Sequence, residues 1–152
     1  MKKILFVCHG NICRSTMAEF VMKFLAEKSG RKNEFLIDSK ATSSEETGNP
    51  PHQGTVQKLR EMNVPVYFHR AQKMTVRDYE FYDMIIAMDE ENLRGIKRIC
   101  GNDVQKKVSL LLEHCGRSGE IADPWYTGNF DETFCDVMEG CRGLLAELTN
   151  GS

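Results

Sequence analysis

One short stretch limits the fold more than any other. Ile4 to Val7 is a continuous apolar run that ends at Cys8, and a polar turn with Gly10 and Asn11 follows. A helical pattern begins near Arg14, with Met17, Ala18, Val21, Phe24 and Leu25 at helical spacing. An apolar run without alternation reads as a strand buried on both faces. A strand that turns directly into a helix is the first half of a strand–helix–strand unit.

The rest of the chain repeats this alternation. Phe35 to Ile37 reads as a second strand ending at Asp38-Ser39, and Ala41 to Pro51 as a loop with Gly48 and the Pro50-Pro51 pair. Val56, Leu59 and Met62 suggest a helix that stops before Pro65. Met84 to Met88 is a third strand, and Asp89 caps a helix carrying Leu93 and Ile96. Val108 to Leu112 is a fourth strand. Phe134, Val137, Met138, Cys141, Leu144, Leu145 and Leu148 form an amphipathic stripe on a last helix. Strands alternating with helices imply an α/β fold, a parallel sheet covered on both faces, with ligands binding beyond the carboxyl ends of the strands.

At 152 residues the chain fits one domain, 1–152, large enough to bury a core without metal or disulfide staples. The net charge of −2 offers no basic field for nucleic acid. No apolar stretch is long enough to span a membrane, and no export signal is visible, so a cytoplasmic protein is expected. The six cysteines then read as free thiols; there is no C-x-x-C pair, the four histidines are scattered, and neither metal nor cofactor is expected. Cys135 and Cys141 read as small buried or half-buried helix residues.

The turn V-C-H-G-N-I-C-R-S places backbone N–H groups and a helix N-terminus around one point, a cradle sized for phosphate. It spans Cys8, His9, Gly10, Asn11, Ile12, Cys13, Arg14 and Ser15. Cysteine attacks as the thiolate, which the helix end and Arg14 favour. The planar guanidinium of Arg14 binds two phosphoryl oxygens at once. Ser15 can donate a hydrogen bond to the thiolate. The plain alternative, a core cysteine followed by a solvated arginine, does not explain the strand, the Gly-Asn turn and the helix together. Cys13 is a candidate redox partner that closes a disulfide on Cys8 under oxidation; its alternative is a half-buried loop thiol.

A departing alkoxide or phenolate needs a proton donor. Asp123 in I-A-D-P-W-Y is the first candidate, held extended by Pro124 with Trp125 and Tyr126 as an aromatic wall. Asp89 and Asp38 are rivals at strand ends, Asp89 being better explained as a helix cap. His9 sits in the cradle with its side chain toward the mouth, and His69 reads from pattern alone as a surface residue.

These residues carry a resemblance. V-C-H-G-N-I-C-R-S, D-S-K-A-T-S with G-N-P-P, H-R-A, A-M-D-E-E-N-L and D-P-W-Y-T-G run nearly end to end. Together they resemble the low-molecular-weight protein tyrosine phosphatases. The resemblance implies a three-layer fold with a four-stranded parallel sheet and the phosphate-binding loop after the first strand. It implies Cys8 as nucleophile, Arg14 as phosphate clamp and Asp123 as general acid, then base. It also implies a polar network of Asn11, Ser15, Ser39 and His69 bracing the loop, a phosphotyrosine protein as substrate, and a monomer or weak dimer. The chain departs from the family pattern at His9, Thr16 and Glu45, where Leu, Pro and an aromatic are usual. His9, Glu45, Trp125 and Tyr126 then form the substrate wall, with Trp125 partly replacing the lost ring.

Rival readings are an arsenate reductase on a related scaffold, a cysteine-phosphorylated phosphocarrier, a phosphoarginine phosphatase, and a phosphotyrosine-binding module. The first needs cysteines just after the third strand, where A-M-D-E-E-N-L has none. A carrier must protect its phosphate from water, which Arg14 and Asp123 argue against. Relatives specific for phosphoarginine tend to have Thr where this chain has Ile12. A module without turnover would lack Cys8 or Asp123.

Overall fold

The structure, a computed structural model, describes residues 1–150. The strands are β1 (Lys2–Cys8), β2 (Phe35–Ala41), β3 (Met84–Ala87) and β4 (Val108–Leu110). The helices are α1 (Arg14–Lys28), α2 (Gln53–Glu61), α3 (Val76–Phe81), α4 (Glu90–Cys100), the one-turn α5 (Pro124–Thr127) and α6 (Phe130–Asn150). All strand pairs are parallel, in the order β2-β1-β3-β4.

The period of two along β1 explains its unbroken apolar run. Ile4, Phe6 and Cys8 face one layer, packed with Met17, Phe20 and Val21 of α1 and Val137, Cys141 and Leu144 of α6. Leu5 and Val7 face the other, with Ile85, Ala87, Met74, Tyr79, Ile96 and Leu110. Both faces are therefore dry, and a one-residue slip of register would exchange the two layers. Because β2 and β3 flank β1, the chain leaves the end of β1 in one direction and the end of β3 in the other. Such a divergence opens a crevice at the carboxyl ends of the strands.

Several boundaries differ from the sequence reading. β2 does not stop at Asp38-Ser39 but continues to Ala41, whose N–H donates to Gln72 and whose carbonyl accepts from Met74. Its polar residues are tolerated because each has a partner: Ser39 bonds Glu19, and Lys40 pairs with Asp78. β4 ends at Leu110, and Leu111–Cys115 turns as a 3₁₀ helix. The α3 helix carries no apolar stripe long enough to mark it; a capping box between Thr75 and Asp78 starts it. Cys141 is buried as expected, but Cys135 is exposed, on the outward face of α6.

Candidate active site

The loop between β1 and α1 is held open from outside. The Cys8 carbonyl accepts from Thr42 N–H at 3.0 Å, and the His9 carbonyl from Ser43 N–H at 3.1 Å. The Asn11 carbonyl accepts from the Thr16 hydroxyl at 2.9 Å. The Ile12 carbonyl accepts from His52 N–H at 2.8 Å, and the Cys13 carbonyl from Met17 N–H at 3.0 Å. A planar trans peptide points each following N–H the opposite way. The amides of His9, Gly10, Ile12, Cys13 and Arg14 thus aim away from those partners, toward the loop interior. That is an anion cradle, and α1 adds its positive end. Thr16 replaces the family's usual proline with a hydroxyl that takes part in the bracing.

Asn11 sits at φ 60, a left-handed conformation that costs a non-glycine residue about 1 kcal/mol. Its side chain offsets this. The amide nitrogen donates to Ser15 Oγ at 2.9 Å and Ser39 Oγ at 3.0 Å. The amide oxygen accepts from His69 Nε2 at 2.8 Å and Gln72 N–H at 3.2 Å. Four hydrogen bonds, three of them buried, at about 1 kcal/mol each outweigh the strain. Because Ser15 Oγ already accepts from Asn11, its own proton is free for Cys8 Sγ, 3.0 Å away. The Ser15 amide also donates to that sulfur, at 3.4 Å.

Behind this network stands Glu19, which the sequence reading missed. It is buried, accepts from Ser39 Oγ at 2.6 Å, and pairs with Lys23. Its other neighbour is His69 Nδ1 at 3.4 Å. His69 is buried, not the surface histidine that pattern alone suggested. Glu19, Asp38 and His69 bring one ligand atom each within 4.8 Å of one another, but Glu19 and His69 are already engaged in the loop network.

Arg14 is 3 % exposed. One Nη1 donates to Asp89 Oδ2 at 2.7 Å and to the Ile121 carbonyl at 2.9 Å, and Nη2 lies 3.5 Å from Asp123 Oδ2. Burial works against its charge, but Cys8, Asp89 and Asp123 hold the guanidinium above its ordinary range. Its Nε has no hydrogen-bond partner among the described residues, a buried donor for an incoming oxyanion.

The two candidate acids separate by geometry. Asp89 is a helix cap, as expected, through Oδ1 to the Asn92 amide at 2.7 Å. It is also the buried ion-pair partner of Arg14, so both oxygens are committed. Asp123 spends Oδ1 on the Trp125 amide at 3.0 Å and turns Oδ2 toward Arg14. Asp123 lines the crevice; Asp89 and Asp38 do not. Asp38 instead bonds the Ser39 amide and the Tyr82 hydroxyl.

The crevice holds about 130 Å³ and has Cys8 and Arg14 at its base. Its walls include His9, Glu45, Glu46, Trp125 and Tyr126. His9 Nε2 lies 3.1 Å from Glu45 Oε2. Trp125 meets His52 edge-on, with centroids 5.5 Å apart, and His52 in turn stacks on Phe130. Neither His52 nor Glu46 was marked by sequence pattern. Cys13 lines the same crevice and is buried, not half-buried. Burial first, then the nearby Cys8 and Asp123, push its thiol up to about 12. Cys100 and Cys115 lie at the end of α4 and in the 3₁₀ turn after β4, and neither lines the crevice.

Comparison with known proteins gives the family. Residues 3–151 match the family model described as low molecular weight phosphotyrosine protein phosphatase. The low molecular weight protein-tyrosine-phosphatase YfkJ of Bacillus subtilis is 37 % identical over 150 residues, covering 97 % of this chain and 96 % of its own. The crystal structure of YfkJ superposes with a TM-score of 0.95 at 36 % identity, over 100 % of this chain and 97 % of that one. A low molecular weight protein tyrosine phosphatase from Streptococcus pyogenes has a TM-score of 0.88 at 39 % identity, over 97 % and 93 % of the two chains. The chain belongs to the low molecular weight phosphotyrosine protein phosphatase family. No helix among the described residues is long and apolar enough to cross a membrane.

Proposed function

We propose that this chain hydrolyses phosphotyrosine in proteins, and small aryl phosphates, through a phosphocysteine at Cys8. The observation that carries this assignment of roles is the junction of three groups at the crevice base. Cys8 Sγ is oriented by the Ser15 hydroxyl and amide, Arg14 keeps a buried free donor beside it, and Asp123 lines the same space.

The chemistry follows in two steps. Cys8 thiolate attacks phosphorus while the amides of the loop and Arg14 hold the equatorial oxygens. The S–P bond forms, the P–O bond to the phenol breaks, and Asp123 gives its proton to the departing oxygen. Water then attacks the phosphocysteine, passing a proton to the Asp123 carboxylate. The S–P bond breaks, phosphate leaves, and Cys8 returns as thiolate. Asn11, Ser39 and His69, with Glu19 behind them, brace the loop. Trp125 and Tyr126 supply the aromatic wall for the tyrosine ring. Cys13 serves as the disulfide partner of oxidised Cys8. A monomer acting in the reducing cytosol, where Cys8 stays a thiol, belongs to the same proposal.

Steady-state hydrolysis of aryl phosphate and of phosphotyrosine, phosphoserine and phosphoarginine peptides, with arsenate reduction alongside, tests it. The expected result is turnover of aryl phosphate and phosphotyrosine far above the rest. Preferential turnover of phosphoarginine, or arsenate reduction, would replace it.

A further inference from the structure

The rim of the crevice carries a charge pattern that the reaction itself does not explain. A phosphate dianion must enter, yet the mouth carries two carboxylates, Glu45 and Glu46, with His9 and Tyr126 the other ionisable groups on its walls. The only arginine or lysine among the lining residues is the buried Arg14. Glu45 is well exposed and pairs with His9, which neutralises it only when protonated. The Glu46 carboxylate takes a neutral partner, the Asn49 amide, at 2.6 Å.

The backbone that carries these carboxylates is fixed in place. The segment that carries them is tied to the phosphate loop through the Thr42 and Ser43 amides on the Cys8 and His9 carbonyls. Its far end is tied by Gly48 N–H to the Ala71 carbonyl at 2.8 Å, and Ala71 N–H returns to Asn49. Glu46 also packs over Gly10 so closely that a Cβ there would stand 3.3 Å from its Cγ. The acidic wall therefore moves with the loop that holds the phosphate. It shares the crevice mouth with Trp125 and Tyr126, so residues flanking a phosphotyrosine bound at Cys8 would pass close to it.

We infer that this chain selects phosphotyrosine flanked by Lys or Arg, with Glu45 and Glu46 as the specificity-determining residues. The inference rests on the phosphotyrosine reading above and names its substrate class. A basic neighbour gains attraction from two carboxylates on a backbone tied to the phosphate loop. An acidic neighbour meets repulsion from the same two groups.

The test uses the full chain and three phosphotyrosine peptides that differ only in Arg, Ala or Glu beside the phosphotyrosine, with p-nitrophenyl phosphate as reference. kcat/KM should rank Arg above Ala above Glu, with about tenfold between the extremes at low ionic strength. The spread should shrink as salt is added. The Glu45→Gln/Glu46→Gln double variant should lose most of the ranking, read as a ratio within one enzyme. Equal kcat/KM for the three peptides, alongside normal aryl phosphate turnover, overturns the inference and leaves the phosphatase reading standing. A ranking that survives unchanged in the double variant overturns the role of these two glutamates. Absence of aryl phosphate turnover overturns the phosphatase reading and the inference with it.

Discussion

The loop after β1 and the segment around Asp123 meet in one crevice, but they are built differently. The loop is buried from Asn11 through Ser15 and over-determined. Five of its carbonyls are bonded from outside, and the Asn11 side chain alone makes four hydrogen bonds. The acid segment has fewer ties: Ile121 N–H reaches Met88 at 3.0 Å and its carbonyl accepts from Arg14 at 2.9 Å, Thr133 Oγ bonds the Ala122 carbonyl at 3.1 Å, Asp123 Oδ2 lies 3.5 Å from Arg14, and a one-turn helix follows. Its aromatic residues face solvent, Trp125 at 56 % exposure and Tyr126 at 84 %. The difference matches what each part must do. A nucleophile and an oxyanion cradle gain from being fixed before substrate arrives, since reorganisation then costs nothing during the reaction. An acid must reach different leaving groups and let product out.

If that division is right, damage to the two regions should look different in kinetics. Asp123→Ala should slow phenyl phosphate by about 10³-fold but nitrophenyl phosphate far less, because a good leaving group needs little proton help. The dependence of rate on leaving-group pKa should steepen, and the basic limb of the kcat/KM profile should flatten. An unchanged slope would assign the acid elsewhere, with Asp89 the next candidate. Arg14→Lys should instead slow all aryl phosphates alike, by about 10²-fold in kcat, since the charge stays but the planar fork is lost.

A smaller effect tests the bracing. Asn11→Gly keeps the left-handed backbone accessible and removes only the side chain. It should cost about tenfold in kcat and about 1–3 kcal/mol of stability by denaturant titration, again without leaving-group dependence. Full activity with lowered stability would make the network structural only.

The Cys13 thiol, outside the catalytic cycle, supplies the most pH-dependent effect. Held near 12, it is almost wholly protonated at neutral pH, and its thiolate fraction rises tenfold per pH unit below that value. Mild peroxide removes the Cys8 charge, but burial and Asp123 still hold the Cys13 thiol up, so closure of a Cys8–Cys13 disulfide should speed up from pH 6 to pH 9, as read by peptide mapping of quenched samples. A plateau near pH 8 would mean an ordinary exposed thiol.

The same contrast explains what the sequence revealed. The phosphate loop was legible because its chemistry is local: a strand end, Gly10 and Asn11, and Arg14 lie within a few residues. The long stripe of α6 and the cap at Asp89 were legible for the same reason. Glu19 was not, because α1 is buried from Arg14 through Met22 and has no polar face to mark its exceptions. Its carboxylate makes sense only once β2 brings Ser39 beside it. Asp89 showed its cap but hid its bond to Arg14, 75 residues away in sequence. The extension of β2 through Ser39 and Lys40 was likewise invisible, since the partners that make those polar residues tolerable come from α1 and α3.

The central claim is that phosphate passes through Cys8, and rapid acid quench measures that directly. Asp123→Ala should form the intermediate with an activated substrate but discharge it slowly, for want of a base to activate water. Quenched after mixing with nitrophenyl phosphate, it should carry one phosphoryl group per chain, located by peptide mass spectrometry on Cys8. The Cys8→Ser protein, with unchanged circular dichroism, should show neither the adduct nor turnover. A phosphoryl group on another residue, or steady turnover by Cys8→Ser, would contradict the account.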